Sequence, residues 1–198
     1  MSEIILNDFE DYVKISKVRV YDLEESIQAS KFPKSVDISQ CNTEITERQI
    51  SLGNCITGTG HDCYLKGIIC NFNLTCSNKM WVEFQRYHFA DIVSSQSTMH
   101  KITQMDLKNN CIEYVTDNTI NEVNRLIDIY NKDKTEDAYL SVLYNVPSGL
   151  QLTARITTSY LQFKTMLKQR EFHKLPEWRG FCRWLKTLPH SDLFINKR

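Results

Sequence analysis

The hydrophobic positions change period several times along the chain. In residues 12–21 (YVKISKVRVY), Val13 and Ile15 alternate with polar neighbours, and so do Val18 and Val20. Period two marks a half-buried strand, and the phase slip at Ser16-Lys17 predicts a turn or a bulge. Residues 22–31 (DLEESIQASK) read as a short helix and residues 34–43 as polar, irregular chain. Thr46-Glu47-Arg48-Gln49 matches a capping box, with Ile45, Leu52 and Ile56 at helical spacing. The helix is expected to end near Gly58-Thr59-Gly60. Residues 64–76 carry the clearest strand pattern. Ile68, Cys70, Phe72 and Leu74 fall on one face, and Ile69, Asn71, Asn73 and Thr75 on the other. Ser77-Asn78 then caps a helix through Met80, Trp81, Phe84 and Tyr87.

The second half is mostly helical. Asp117, Asn118 or Thr119 caps an amphipathic helix through Ile120, Val123, Leu126, Ile127 and Tyr130. Thr135 caps another, closed by Pro147. Residues 157–170 carry Leu161, Phe163, Met166 and Leu167 at mixed helical spacing. Pro176 suits a first helical position, with Trp178, Phe181, Trp184 and Leu185 inward and Pro189 as the stop. Helices outnumber strands and do not alternate with them as βαβ units, so the pattern predicts an α+β domain.

Composition narrows the class. The chain has 198 residues, 24 basic and 24 acidic, so its formal net charge is zero. At roughly 150 residues per domain, this is one domain, or one with an insertion. A neutral balance argues against a broad electrostatic grip on nucleic acid. The opening MSEIILNDFEDY is acidic and lacks the pattern of a signal peptide, and no apolar run is long enough to span a membrane. A cytoplasmic protein is expected. The seven cysteines contain no C-x-x-C pair. Cys55, His61, Cys63 and Cys70 fit no standard zinc spacing, and the cysteines read as reduced, core-filling residues.

Three stretches are too polar for their surroundings. They are Gly60-His61-Asp62, the run from Gln85-Arg86-Tyr87-His88 through Asp91 to Ser94–Thr98, and Pro147 to Arg179 with Arg155, Arg170 and Arg179. Arg86 and His88, two apart at the end of an apolar helix, could face an anion. The Ser/Gln/Thr run after them offers hydroxyl, amide and backbone donors. Locally, a solvated loop rich in turn formers fits this pattern as well. His61 is equally readable as a structural residue, and Arg170 and Arg179 as solvated charges. No G-x-S-x-G elbow, phosphate loop of the G-x-x-x-x-G-K type or H-E-x-x-H motif is present, and no cysteine has an activating neighbourhood.

Taken in order, these stretches resemble the flavin-dependent thymidylate synthases. That family has a Gly-His pair before a long strand, and a helix ending in Arg-His-Arg. A Ser/Asn/Glu/Ser/Arg loop follows, then a Leu-Pro, a Thr-x-Asn-x-Arg helix, a further Arg and a Glu-Ile-Arg ending. Here the order reads Gly60-His61, strand 64–76, Arg86-Tyr87-His88 and the loop Asp91 to Thr98. Val146-Pro147, Thr157-Thr158-Ser159, Arg170 and Glu177-Trp178-Arg179 complete it. Tyr87 and His88 replace the family's His and last Arg. Thr98 and Leu143 stand at two nucleotide-binding arginines, and Ser159 and Leu161 replace the Asn and Arg of the Thr-x-Asn-x-Arg helix.

The resemblance implies a mixed sheet with flanking helices in a single domain spanning residues 1–198. It implies a homotetramer whose active sites draw on more than one subunit. FAD would be the cofactor, with NADPH and methylenetetrahydrofolate as co-substrates, and the one-carbon unit would pass to a pyrimidine nucleotide, dUMP or a variant of it. His61, Arg86, His88 and Ser159 are then the expected flavin contacts. Gln96, Ser97 and Thr98 are the expected donors to the nucleotide phosphate, and Arg170 the catalytic charge facing the pyrimidine. The two missing arginines should weaken dUMP binding, because charge-assisted bonds are roughly twice as strong as neutral ones. Cysteine-dependent thymidylate synthases need a Pro-Cys nucleophile. Here the four prolines precede Lys34, Ser148, Glu177 and His190. The same frame also suits a non-catalytic homologue, kept as a nucleotide-binding or protein-interaction module. An unrelated α+β domain with polar surface loops is a third reading.

Overall fold

The structure, a computed structural model, describes residues 3–195. Three strands open it: the short β1 (Glu3–Leu6) and β2 (Phe9–Asp11), and the longer β3 (Val13–Tyr21). Helices α1 (Leu23–Ala29) and α2 (Glu47–Gly53) follow, then β4 (Ile69–Ser77), α3 (Asn78–Phe84) and β5 (Ala90–Ser95). Four helices come next: α4 (Thr98–Lys101), α5 (Leu107–Asn110), α6 (Asp117–Asp133) and α7 (Glu136–Tyr144). Strand β6 (Gln151–Ser159) leads into α8 (Tyr160–Arg170), and α9 (Pro176–Leu185) completes the main elements.

The six strands form one sheet in the order β1-β3-β4-β6-β5, with β2 also on β3. The α+β architecture with flanking helices is the expected one. Every pairing is antiparallel, which refines the expected mixed sheet. On the core face, Val13, Ile15, Val18, Val20, Cys70, Phe72, Leu74, Cys76 and Ile156 are almost fully buried. Helices α3, α8 and α9 cover them with Phe84, Phe163, Phe181 and Trp184, whose rings pack at centroid distances such as 4.7 Å for Phe72–Trp184. The other face carries half-buried Asn71, Asn73, Arg155 and Thr157. The slip at Ser16-Lys17 is a β-bulge: the β3–β4 register shifts between Ser16 and Arg19, and Lys17 has φ 53°. The extra residue returns Val18 and Val20 to the face of Val13 and Ile15.

Most local capping signals act as expected, but α6 is capped by Thr116, whose Oγ1 accepts from Thr119 N at 3.3 Å, because Asp117, Asn118 and Thr119 are already helical. Gln49 Oε1 accepts from Thr46 N at 3.3 Å in the capping box, Ser77 Oγ accepts from Met80 N at 3.2 Å, and Pro176 starts α9. Gly180 lets α9 approach the β2 edge, because a Cβ there would stand 2.1 Å from Asp11 O.

Several boundaries differ from the pattern. Helix α2 stops at Gly53, before Gly58. Residues 63–66 form a helical turn, so β4 begins at Ile69. Helix α3 ends at Phe84, before Tyr87, and α8 begins at Tyr160 rather than at residue 157. The expected loop after Asp91 is largely strand β5. Its exposed polar and apolar residues follow no clean alternation because it is an edge strand with a register shift between Ile92 and Ser94. Strands β1 and β2 are three or four residues long, too short for periodicity to register.

Between β5 and β6, helices α4 to α7 enclose a second small core of Ile102, Leu107, Ile120, Val123, Ile127, Val142 and Leu150. Of the expected single domain, residues 1, 2 and 196–198 lie outside the described residues. Among the described residues no helix is long and apolar enough to cross a membrane.

Candidate functional site

The site forms where β6 hands over to α8. Ser159 caps α8 through its hydroxyl, which accepts from Gln162 N at 3.4 Å. One residue earlier, Thr158 Oγ1 donates to Phe89 O at 2.7 Å, and Ala90 pairs with Thr158 in the sheet. These bonds bring the Arg86–Phe89 turn beside the start of α8. Two adjoining cavities result. The larger, about 660 Å³, runs from Gly58 and Gly60 past Lys66 and Asp91 to Ser159 and Gln162. The smaller, about 300 Å³, is lined by Arg86, Tyr87, His88, Gln169 and Arg170. Phe89, Gln162 and Thr165 line both, so they form one cleft.

A loop from Asn54 to Asp62 walls the larger cavity. Its anchor is Lys164, whose Nζ donates to Asp62 Oδ2 at 2.6 Å and to Cys55 O at 2.7 Å. Both side chains of this ion pair are more than nine-tenths buried. Gly58 and Gly60 turn the loop with φ of 96° and 82°, conformations that glycine adopts without steric cost. His61 is exposed and is not itself a lining residue, although its chain neighbours Gly60 and Asp62 are.

The two arginines of the smaller cavity are held in opposite ways. Arg86 and His88 are exposed and, among the described residues, their side chains have no hydrogen-bond or ion-pair partner. Arg170 is mostly buried and engaged. Its Nη1 lies 2.7 Å from Glu83 Oε2, its Nε donates to Tyr87 Oη at 2.8 Å, and its guanidinium lies 4.7 Å from the Trp178 ring centroid. Glu83 Oε2 also accepts from Trp178 Nε1 at 3.1 Å, with His173 Nε2 at 3.3 Å. Tyr87 Oη donates onward to Gln169 Oε1 at 3.0 Å. Burial pushes the Tyr87 phenol up, against the opposing pull of Arg170.

Arg86, His88, Ser159 and Arg170 thus line one cleft, while His61 is exposed and lines neither of its cavities. Gln96, Ser97 and Thr98 do not join them within the chain. They lie past the far end of β5, six or more residues beyond Ala90, which is roughly 20 Å at strand rise. There Gln96 extends the ladder: its N–H donates to Thr153 O at 2.9 Å and its Oε1 accepts from Thr153 N at 2.8 Å.

The Glu177-Arg179 pair is structural in its contacts. Glu177 is buried and accepts from Ser77 N and Ser77 Oγ, both at 2.7 Å, while Arg179 donates to His173 O and Lys174 O. Cys70 lies in the sheet core while Cys63 and His61 are exposed, so the four residues weighed for zinc do not converge. Among the described residues no group of three His, Cys, Asp or Glu could hold a metal ion. Burial pushes the thiols of Cys70, Cys76 and Cys182 up, that of Cys182 to about 12, away from reactive thiolate.

Sequence reasoning missed Lys66, Phe89, Gln162 and Thr165 as lining residues, and Asp62–Lys164 as the loop's anchor. One signal was available for the anchor: Lys164 sits in the otherwise apolar run of Phe163, Met166 and Leu167.

No family model matches the chain, and no curated protein matches it. Solved structures do. Thymidylate synthase X from Helicobacter pylori, solved with FAD and dUMP, matches with a TM-score of 0.65 at 16% identity, over 88% of this chain and 93% of that one. A second structure, the flavin-dependent thymidylate synthase of the same organism complexed with FAD and dUMP, matches with a TM-score of 0.66 at 16% identity, over 98% of both chains. The protein therefore has a flavin-dependent thymidylate synthase-like fold.

Proposed function

We propose that this protein binds FAD and transfers a one-carbon unit from methylenetetrahydrofolate to carbon 5 of a pyrimidine nucleotide, dUMP or a variant of it, with NADPH as reductant. The observation that carries the reading is the single cleft shared by Arg86, His88, Ser159 and Arg170, in a fold whose solved neighbours hold FAD and dUMP. The residues suit the cofactor. The cleft's size falls in the range of small-molecule sites, about 300–1,000 Å³. Lys66, Arg86 and His88 have no partner among the described residues, so they are free to meet a pyrophosphate. FAD, when bound, supplies the redox chemistry that no side chain here provides.

In this reading Lys66, Arg86 and His88 bind the anionic part of the cofactor. Ser159 offers a neutral donor, since its hydroxyl oxygen only accepts from Gln162 N, and His61 reaches the cofactor from the adjoining loop. Arg170 presents a fixed positive charge to the pyrimidine, held by Glu83 and Tyr87 so that it needs no reorganisation. Gln96, Ser97 and Thr98 serve the phosphate of a neighbouring subunit's nucleotide. Their distance from the cleft within one chain supports a homotetramer with shared sites. A cytoplasmic location goes with this function.

Titration of the purified protein with FAD tests the reading. Flavin absorbance on a folded oligomer is expected, and failure to bind FAD at micromolar concentration overturns it. In Arg170→Ala, flavin binding should survive while nucleotide-dependent oxidation of reduced flavin is lost.

One observation favours a second reading, a non-catalytic nucleotide-binding homologue. Glu83 lies 2.7 Å from Arg170 and offsets the charge that would act on the pyrimidine. FAD and dUMP binding without any nucleotide-dependent flavin oxidation would select it.

A further inference from the structure

A second cavity, of about 510 Å³, lies against the same Asn54–Asp62 loop. Loop residues Asn54–Thr57, α8 from Lys164 on with the Glu171-Phe172 that follows it, and the segment at Phe194-Ile195 enclose it. Thr57 lines this cavity and the cleft alike, so one loop separates the two.

The lining is amphipathic and its charges do not cancel. Leu167 and Phe194 form a buried apolar floor, while Ile56 and Phe172 leave 79% and 81% of their surface exposed. Large apolar side chains exposed around a concavity mark a binding surface. Glu171 is taken up by Lys186 at 2.6 Å, and Lys164 by Asp62 at 2.6 Å. Among the described residues Lys168 has no partner, which leaves one positive charge unmatched. Asn54 Oδ1, in the wall, is buried without a donor among the described residues.

We propose that this cavity is a second ligand site, for a small organic monoanion with a flat apolar body: an aromatic carboxylate or sulfonate. The anionic head meets Lys168, and the body lies between Ile56 and Phe172 over the Leu167–Phe194 floor. One unmatched cation selects a single negative charge, and the volume suits a ligand of two or three rings. The site stands apart from Arg86, His88 and Ser159 and does not depend on the function proposed for them.

Anilinonaphthalene sulfonate, an aromatic monoanion, is the probe, followed by its fluorescence on the full chain. One class of sites is expected, about ten-fold weaker in Lys168→Glu, as the loss of a charge-assisted contact predicts, and in Phe172→Ala, as the loss of apolar burial predicts. Both side chains are exposed, so both variants should keep the parent's melting temperature. Binding should be unchanged in Arg86→Ala and undisturbed by added FAD. Unaltered binding in both Lys168→Glu and Phe172→Ala overturns the proposal, and so does displacement of the probe by FAD.

Discussion

Arg170 Nη1 lies 2.7 Å from Glu83 Oε2, and the two side chains are only 11% and 17% exposed. The pair joins the end of α8 to α3, and Tyr87, Trp178 and His173 close around it. Whatever the cleft binds, this cluster sets the position of its buried arginine.

Breaking a buried pair from one side leaves the other charge uncompensated. Arg170→Ala and Glu83→Ala are each expected to cost about 3 kcal/mol. The double variant should cost less than the sum by about 2 kcal/mol, since the residues are in direct contact. Urea unfolding of the four proteins closes the cycle; additive costs would show that the pair is not coupled.

Lys164 is the loop's anchor, and its loss strands Asp62 in the interior. Lys164→Met is expected to destabilise by about 4 kcal/mol, and a companion Asp62→Leu to recover most of that. Amide hydrogen exchange should rise across residues 54–62 in the single variant. Protection there equal to the parent's would contradict the anchoring role.

Glu177 holds Ser77 N and Ser77 Oγ, and burial raises its carboxyl above the ordinary value. Glu177→Ala leaves two buried donors unmet, at about 3 kcal/mol. Glu177→Gln keeps an acceptor and should cost less than half of that. A raised acid contributes stability that is full below its unfolded value and lost as pH rises through its folded value. The deficit of Glu177→Gln relative to the parent should therefore shrink as pH rises through the mildly acidic range. Denaturant midpoints of both proteins read this directly.

His173 accepts from Leu175 N at its Nδ1, so protonation there breaks a bond, and burial lowers its pKa from the ordinary value. A lowered pKa means that its stability contribution is present above the unfolded value, 6.5, and is lost as pH falls through the folded value. The parent is expected to lose stability faster than His173→Gln as pH falls below 6.5. Parallel profiles for the two proteins would exclude that role.

Much of the frame is readable from neighbouring residues. Val13/Ile15 and Val18/Val20 reveal a strand broken by a bulge, Cys70/Phe72/Leu74 a buried face, and Thr46, Ser77 and Pro176 the starts of helices. Each signal acts within one turn of helix or a few residues of strand. Edge strand β5 escaped because pairing with β6, not its own pattern, makes it a strand. The cleft was half legible. Arg86, His88, Ser159 and Arg170 stand in stretches too polar for their surroundings and line one cleft, whereas His61 lines neither of its cavities. Their states were not legible: the adjacent sequence of Arg170 says nothing of Glu83, 87 residues away.

The sequence alone therefore determined the α+β class, the alternation of the central strand, the bulge and the polar stretches, because periodicity and capping are local properties. Tertiary structure decided which charges are spent and which are free. The packing of α3, α8 and α9 on one sheet face consumes Arg170 and Glu177. The turn after α3 leaves Arg86 and His88 at the cleft without a partner among the described residues. Arg155 shows the same division: the bulge is written at Ser16-Lys17, but the donor to Lys17 O, at 2.8 Å, comes from a strand 138 residues later. A side chain's electrostatic role depends on which groups the fold brings within about 4 Å, and that separation is not encoded in any window of the sequence.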